Sequence, residues 1–216
     1  MLIDIHIHTK PTSYCSELDA VDMIKRAKEM GIDGVCITEH DAVWSTEEIE
    51  KLSTEHDFPV FKGMEVNTDC GHILTFGLNE YVPGIWRLET LRKVADDMGG
   101  VIIAAHPFRR PWYGVRLRQE YGLRITAQEA SEEKVFQLVD GVEVINGERP
   151  EIENNFAAEV TELTSMFATG GSDAHFVSAI ATCMTAFPHT VHNEQELVEA
   201  IYAKQFHPVR LEETSA

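Results

Sequence analysis

The chain has 216 residues, of which 44% are hydrophobic and 25% are charged, a composition close to that of soluble globular proteins. No segment approaches the roughly 18 consecutive apolar residues that a membrane-spanning helix needs, so a membrane protein is excluded. The net charge of −18 also argues against long nucleic acid as a partner, because a field of that sign repels phosphate polymers.

The first residues carry neither a basic leader nor a long apolar stretch, so we expect a cytoplasmic location. No two cysteines form a C-x-x-C pair, which disfavours a zinc ribbon or a disulfide framework. The cysteines are Cys15, Cys36, Cys70 and Cys183.

Seven apolar runs rich in β-branched residues recur along the chain and predict strands. They cover residues 2–7, 34–38, 59–66, 72–78, 101–105, 141–145 and 166–169. Segments that predict helices lie at 21–30, 88–98, 127–138, 152–163 and 194–203. Gly31 is placed to end the first helix, and Ser45 with Glu48 forms a capping box that opens a further helix.

This alternation predicts one α/β domain, residues 1–216, with a parallel sheet that is either doubly wound or closed into a barrel. We favour a barrel of about seven strands, because polar residues collect at the strand ends. The chemical motifs fall within residues 2–176, and residues 177–216 are predicted to form a C-terminal helix and a tail. The loop 107–126 is the longest irregular stretch and is predicted to overhang one rim.

Polar side chains follow the apolar runs at the points where the predicted strands end. In a parallel barrel these ends open on one rim, where active sites are built from residues of different strands. We therefore expect distant residues to converge there. They are Asp4, His6 and His8, then Glu39, His40 and Asp41, then Glu65, His106, Asp173 and His175.

His6 and His8 are two residues apart, so on a strand they face the same way and form a metal chelate. Histidines satisfied by hydrogen bonds in the core are the alternative, and the repeated coincidence with strand ends disfavours it. Glu65 is placed to bridge two cations, or to serve as a capping or salt-bridging residue. Asp173 and His175 form a second chelating pair, and the two glycines before them are interpreted as allowing a sharp turn.

A serine hydrolase triad of Ser172, Asp173 and His175 is disfavoured. These residues are adjacent in sequence, whereas a triad needs the histidine between the other two in space.

The motifs resemble those of the polymerase and histidinol phosphatase (PHP) family of metal-dependent phosphoesterases. The matching segments occur in the family's order: DIHIHT (4–9), ITEHD (37–41), GME (63–65), GHIL (71–74), AHP (105–107) and GSDAH (171–175). The resemblance implies a distorted (β/α)7 barrel in a single domain.

The resemblance also implies two or three divalent cations, with manganese, zinc or iron as candidates. The first would be held by His6, His8, Glu65 and Asp173, and the second by the shared Glu65 with His72 and His106. A third would take His40, His175 and a residue from the loop after His8. Many members carry aspartate or histidine where this chain has Ser13, and Cys15 or Glu17 is a possible substitute. Glu39 also replaces the commoner aspartate before His40.

The expected activity is hydrolysis of a small phosphate monoester or diester, such as a phosphorylated metabolite or short nucleotide, by a metal-bridging hydroxide. Arg109 and Arg110 are expected to add positive charge around the phosphate, with Lys10 next. The predicted catalytic residues are Glu65, Asp173, Arg109 and Arg110. One alternative is a metal-dependent hydrolase of a non-phosphate bond. Another is a non-catalytic metal-binding module that serves a partner protein.

Overall fold

A mixed sheet of nine strands, flanked by six α-helices, makes up the part of the chain that the computed structural model describes, residues 1–109 and 125–211. The strands are β1 (Leu2–Ile7), β2 (Gly34–His40), β3 (Val60–Thr68), β4 (Gly71–Phe76), β5 (Val101–Ala104), β6 (Gly141–Asn146), β7 (Phe167–Gly171), β8 (Cys183–Ala186) and β9 (His207–Arg210). The helices are α1 (Ala20–Glu29), α2 (Thr46–His56), α3 (Leu88–Met98), α4 (Ala127–Ser131), α5 (Glu151–Glu162) and α6 (Glu194–Ala203).

The sheet runs in the order β7-β6-β5-β4-β3-β2-β1-β8-β9. It curls until β7, at one end, contacts β1, β8 and β9 near the other end. A bridge between Ile7 and Ala174 joins the end of β1 to the segment that follows β7. Two backbone hydrogen bonds reinforce this junction, from Asp173 N to His6 O at 2.8 Å and from His8 N to Ala174 O at 3.0 Å. The prediction of a single-domain α/β barrel is confirmed.

All seven predicted strands are present, but the prediction that they are all parallel is wrong for β4. This strand is antiparallel to both β3 and β5, because only residues 69 and 70 separate β3 from β4, far fewer than a parallel crossover requires. Residues 177–211 are also more than the predicted helix and tail. They add β8 and β9, four-residue strands that are too short to carry an alternating pattern.

Local sequence explains where the helices begin and end. The side chain of Asp19 caps α1 by accepting from Val21 N at 2.9 Å, and Gly31 follows the helix with φ +71°, a conformation that glycine adopts at little cost. The predicted capping box of Ser45 and Glu48 opens α2. The predicted helix 127–138 is interrupted, since α4 ends at Ser131 and a 3-10 turn follows over Lys134–Gln137.

The core consists of apolar side chains packed between the sheet and the helices. One cluster joins Ile5, Leu74 and Phe76 of the sheet to Leu197 and Ile201 of α6, each a burial that contributes about 1.5–3 kcal/mol. No helix within residues 1–109 or 125–211 combines the length and apolar character needed to cross a membrane. The predicted rim loop falls almost entirely on residues 110–124, which lie outside the described residues.

The glycine pair before Asp173 has a different role from the sharp turn predicted for it. Gly170 and Gly171 end β7, and a Cβ at Gly171 would lie 2.5 Å from His6 Cβ and 2.8 Å from Glu143 Oε1. Such separations are far inside van der Waals contact. Gly171 therefore allows β7 to approach β1 closely.

We expect Gly171→Ala to lower the free energy of unfolding by about 2–3 kcal/mol through overpacking and to weaken metal binding, because His6 must shift. Thermal unfolding and metal titration measure the two effects. Gly31→Ala is the control: its Cβ meets nothing within 4 Å, so its left-handed backbone should cost about 1–2 kcal/mol without affecting metal binding. Unchanged metal affinity in Gly171→Ala would contradict the close-approach role.

Candidate metal centre

The eight predicted metal ligands gather at one rim of the barrel. His72 reaches this rim from the start of its strand, because β4 runs opposite to its neighbours. The others lie at or near strand ends: His6 on β1 and His8 just after it, His40 at the end of β2, Glu65 on β3, His106 after β5, and Asp173 and His175 after β7.

Glu65 lies at the centre of the group and is fully buried. Its Oε1 is 2.8 Å from His72 Nδ1 and 3.0 Å from His106 Nε2. Its Oε2 is 2.9 Å from His40 Nδ1 and 3.2 Å from His8 Nε2. One carboxylate thus faces four imidazoles within 3.2 Å, two on each oxygen, and His6 Nε2 lies 3.5 Å from Oε1. A ligand shared between two cations needs such contacts on both of its oxygens.

Asp173 closes the opposite side of the group. Its Oδ1 lies 3.4 Å from His6 Nε2 and 3.3 Å from His8 Nε2, and its Oδ2 lies 3.6 Å from His106 Nε2. The Arg109 guanidinium also reaches the site, with Nη1 3.7 Å from Asp173 Oδ2. Of the two predicted arginines, Arg109 is therefore beside the cluster, and Arg110 lies outside the described residues.

The donor set fits divalent cations. His6 Nε2 and His8 Nε2 are 3.1 Å apart, and His6 Nδ1 donates its proton to Glu143 Oε1 at 2.8 Å, so a neutral His6 presents a bare lone pair to His8. Within the described residues, His40 Nδ1, Glu65 Oε2 and Asp173 Oδ1 are buried without a hydrogen-bond partner. Buried polar atoms are rarely left so, and a cation would satisfy them.

Ligand atoms in the cluster also lie close enough together to share an ion. Four overlapping triads each have one ligand atom per residue, all within 4.8 Å of one another. They are His6, His8 and Glu65; His6, His106 and Asp173; His40, Glu65 and His72; and His8, His40 and His175. This imidazole and carboxylate chemistry suits zinc, iron and manganese.

Charges within the centre shift its protonation. Burial alone would lower the pKa of His6, but Glu143, Asp173 and Glu65 raise it well above its ordinary value. Burial alone would raise the pKa of Glu65 and of Asp173, but His6 holds both below their usual range. Burial lowers the pKa of His175. Protons and cations therefore compete for the same nitrogen lone pairs.

Two of these residues have strained backbone. His106 has φ 29° and Asp173 has φ 56°, conformations that cost a non-glycine residue about 1–3 kcal/mol each and that cluster at functional sites. Hydrogen bonds hold both in place, from His106 N to Glu143 Oε2 at 2.9 Å and from Asp173 N to His6 O at 2.8 Å.

Glu143 is a site residue that the sequence motifs did not predict. It is buried on β6, where Oε1 accepts from His6 Nδ1 and Oε2 accepts from His106 N and from Asn146 Nδ2 at 2.9 Å. It orients His6 from behind, as carboxylates commonly orient metal-binding histidines. Its signal was a single acidic residue inside the apolar run 141–145.

We expect Glu143→Gln to weaken metal binding by about 10- to 100-fold, since outer carboxylates that orient ligand histidines contribute that much. Titration with zinc in competition with a chelator measures the change. Glu148→Gln, at an exposed position two residues beyond β6, is the matched control and should bind zinc as the unmodified protein does. Equal affinities for both variants would remove Glu143 from the centre.

Comparison with known proteins agrees with this fold. A model described as PHP-associated matches residues 151–206, and a family of unknown function, DUF6282, matches residues 1–80. The uncharacterized protein MJ1587 of Methanocaldococcus jannaschii is 33% identical to this chain, over 73% of the chain and 89% of its own length.

Solved structures share the fold at low sequence identity. A two-domain Bacteroides vulgatus protein, described as containing a predicted PHP-like metal-dependent phosphoesterase, superposes with a TM-score of 0.62 at 18% identity, covering 97% of this chain and 64% of that one. The chain belongs to the PHP family. An amidohydrolase from Chromobacterium violaceum, with bound sulfate and no metal, superposes on the PHP barrel with a TM-score of 0.64 at 16% identity, over 96% and 97% of the two chains.

This PHP chain departs from the family pattern at two positions that contact each other. The Ser13 hydroxyl donates to Glu39 Oε2, and Ser13 Oγ accepts from His40 N at 3.3 Å. Glu39 also accepts from the Thr9 hydroxyl and from Trp44 Nε1 at 3.0 Å. Glu39 therefore braces the loop after β1 and directs Ser13 toward itself.

Of the two substitutes considered for Ser13, Cys15 is the one whose side chain contacts a predicted ligand. Its Sγ lies 3.2 Å from His175 Nε2. Glu17 is exposed and meets the same residue through its backbone, with Glu17 N donating to His175 O at 3.1 Å.

Proposed function

We propose that this PHP-family protein is a metal-dependent hydrolase that cleaves small phosphate monoesters or diesters. The observation that carries the proposal is the buried carboxylate of Glu65, which faces four imidazoles within 3.2 Å and whose Oε2 has no hydrogen-bond partner among the described residues. The acidic chain, with net charge −18, supports a small substrate over a long polyanion.

The family resemblance assigns the residues that would hold the cations, and the contacts of His8, His72 and His106 with Glu65 support the assignment. His6, His8, Glu65 and Asp173 are assigned to one cation, and Glu65, His72 and His106 to a second. When bound, such cations supply Lewis acidity that activates water and neutralises negative charge on a phosphate.

The chain's own residues orient the ligands and the substrate. Glu143 holds the proton of His6 on Nδ1, which keeps His6 Nε2 free as a ligand. The carbonyl oxygen of Asp173 does the same for His175 by accepting from Nδ1 at 2.7 Å. Arg109, whose side chain is 30% exposed beside Asp173, can reach substrate from the solvent side. Its planar guanidinium suits phosphate oxygens, which supports a phosphoester over a neutral substrate.

We expect Arg109→Ala to raise KM for phosphoesters by about tenfold or more, because a hydrogen bond to a charged group contributes about 1.5–3 kcal/mol. Metal content should not change, since arginine is not a ligand. Steady-state kinetics and elemental analysis measure the two quantities. Arg109→Lys keeps the positive charge but loses the planar guanidinium group. Its KM should lie between that of Arg109→Ala and that of the unmodified protein. Unchanged KM in both variants would contradict the assignment.

The function is tested by reconstituting the metal-free protein with manganese, zinc and iron(II) in turn, and assaying phosphate mono- and diesters. We expect two or more tightly bound cations per chain and turnover that a chelator abolishes. Less than one bound cation per chain would overturn the proposal. Tight binding without turnover of any ester would favour a non-catalytic metal-binding module.

The second candidate is hydrolysis of a non-phosphate bond. The structural likeness to an amidohydrolase supports its inclusion, because one fold and metal centre can serve several reactions. Amide and lactone substrates therefore belong in the same assay. Inhibition by inorganic phosphate that is lost in Arg109→Ala would favour phosphoesters.

A further inference from the structure

The loop after β1 brings a thiol, rather than a carboxylate or imidazole, to the edge of the cluster. Cys15 Sγ is 3.2 Å from His175 Nε2. Because His175 Nδ1 faces the carbonyl oxygen of Asp173 at 2.7 Å, a pure acceptor, the proton of a neutral imidazole is on Nδ1. The lone pair of Nε2 therefore points at the thiol.

Ser13 is not available for the same task. Its hydroxyl donates to Glu39 Oε2, its Oγ accepts from His40 N, and its side chain is buried. The longer side chain of Glu39 thus engages Ser13 and leaves Cys15 as the loop side chain that meets His175.

Unsatisfied atoms lie next to the imidazoles that surround this position. Glu65 Oε2, on a fully buried side chain, faces His40 Nδ1 at 2.9 Å, yet neither atom has a hydrogen-bond partner within the described residues. Three ring nitrogens lie within 4.8 Å of one another here, one each from His8, His40 and His175. Two buried atoms without hydrogen bonds at this separation can serve as adjacent ligands of one cation.

We propose that Cys15 is the loop ligand of a third cation site, together with His40 and His175. On binding, the thiol releases its proton to solvent, and the thiolate Sγ and His175 Nε2 both donate lone pairs to the cation. A soft sulfur ligand favours zinc or iron(II) over manganese, so the third site differs in metal preference from the oxygen- and nitrogen-lined sites around Glu65. This inference rests on the proposed metal-dependent function and assigns a ligand and a metal class to it.

The test uses cobalt(II)-reconstituted full-length protein. We expect a near-ultraviolet thiolate-to-cobalt charge-transfer band in the unmodified protein. Cys15→Ala should lose the band and one equivalent of cobalt. Cys70→Ser, at a buried cysteine on the β3–β4 turn, and Glu17→Gln, at the competing loop position, should keep both.

A second readout needs no variant. Cys15 is exposed, whereas Cys36, Cys70 and Cys183 are buried, so iodoacetamide should modify Cys15 in the metal-free protein. Saturating zinc should protect it, as judged by peptide mass spectrometry.

A missing charge-transfer band, a band that survives in Cys15→Ala, or alkylation of Cys15 that zinc does not slow would each overturn the proposal. Failure of the proposed function gives a different result. A protein that shows the band and the protection but hydrolyses no ester would keep the thiolate site and lose the phosphoesterase activity. A protein that hydrolyses esters without the band would do the reverse.

Discussion

Glu65→Gln is expected to bind at most one cation per chain and to lose about a thousandfold in turnover, because bridged cations contribute several kcal/mol to the transition state. The amide lacks the negative charge that the five surrounding imidazoles share, and it places an N–H group where the carboxylate presents an oxygen to ring nitrogens. Elemental analysis and an ester assay, run on the same preparation, measure both effects.

The matched control for this variant is Glu55→Gln, an exposed position on α2. It should keep the metal content and the activity of the unmodified protein. Full metal content in Glu65→Gln would show that Glu65 is not the shared ligand, whatever happens to turnover.

Removal of the metal is expected to reverse the sign of the pH dependence of the free energy of unfolding. The folded pKa of His6 is raised well above its ordinary value, and that of His8 is raised as well. In metal-free protein their contribution to stability is full below the unfolded pKa of about 6.5 and is lost as pH rises through the folded values. His175 has a lowered pKa and opposes this trend, but two histidines outweigh one.

In the metal-free protein, the carboxylates of Glu65 and Asp173 affect the free energy of unfolding at lower pH than the histidines do. The pKa values of Glu65 and Asp173 are lowered, so their contribution is present above the unfolded values of about 4 and is lost only in acid. The metal-free protein should therefore be most stable between about pH 4 and 6.5 and weaken above that range. Zinc should reverse the trend, since rising pH frees the ligands for the cation.

Thermal unfolding between about pH 6 and 9, with chelator and with zinc, tests this sign. The midpoint should fall with pH in chelator and hold or rise in zinc, by roughly 2–4 °C for each kcal/mol. Parallel slopes in the two series would mean that the histidines do not exchange protons for metal.

Sequence patterns predicted the features of this molecule that are determined by residues close together in the chain. Seven apolar runs became β1 to β7, and the chelating pairs at 6 and 8 and at 173 and 175 lie at one rim because strand ends meet there. The direction of β4 was also available locally, since the two-residue connection 69–70 cannot support a parallel crossover.

Features that depend on distant residues were not predictable in this way. Glu143 matters because folding places it against His6, 137 residues away in sequence, and nothing in its own segment indicates that contact. The local sequence pattern likewise does not predict the close approach of Gly171 to His6. Ser13 and Glu39 were each recognised as departures from the family, but only the fold shows that one engages the other.

The β3–β4 hairpin also sets an order in which the centre can assemble. Glu65 and His72 are seven residues apart, so the entropy lost in bringing them together is small, and hairpins close within about 1–10 μs. The pairing of His6 with Asp173 must wait until β1 and β7 come together. During refolding, Glu65 and His72 can therefore bind a cation together long before the barrel forms. The metal present should change the rate of refolding as well as the stability of the folded protein.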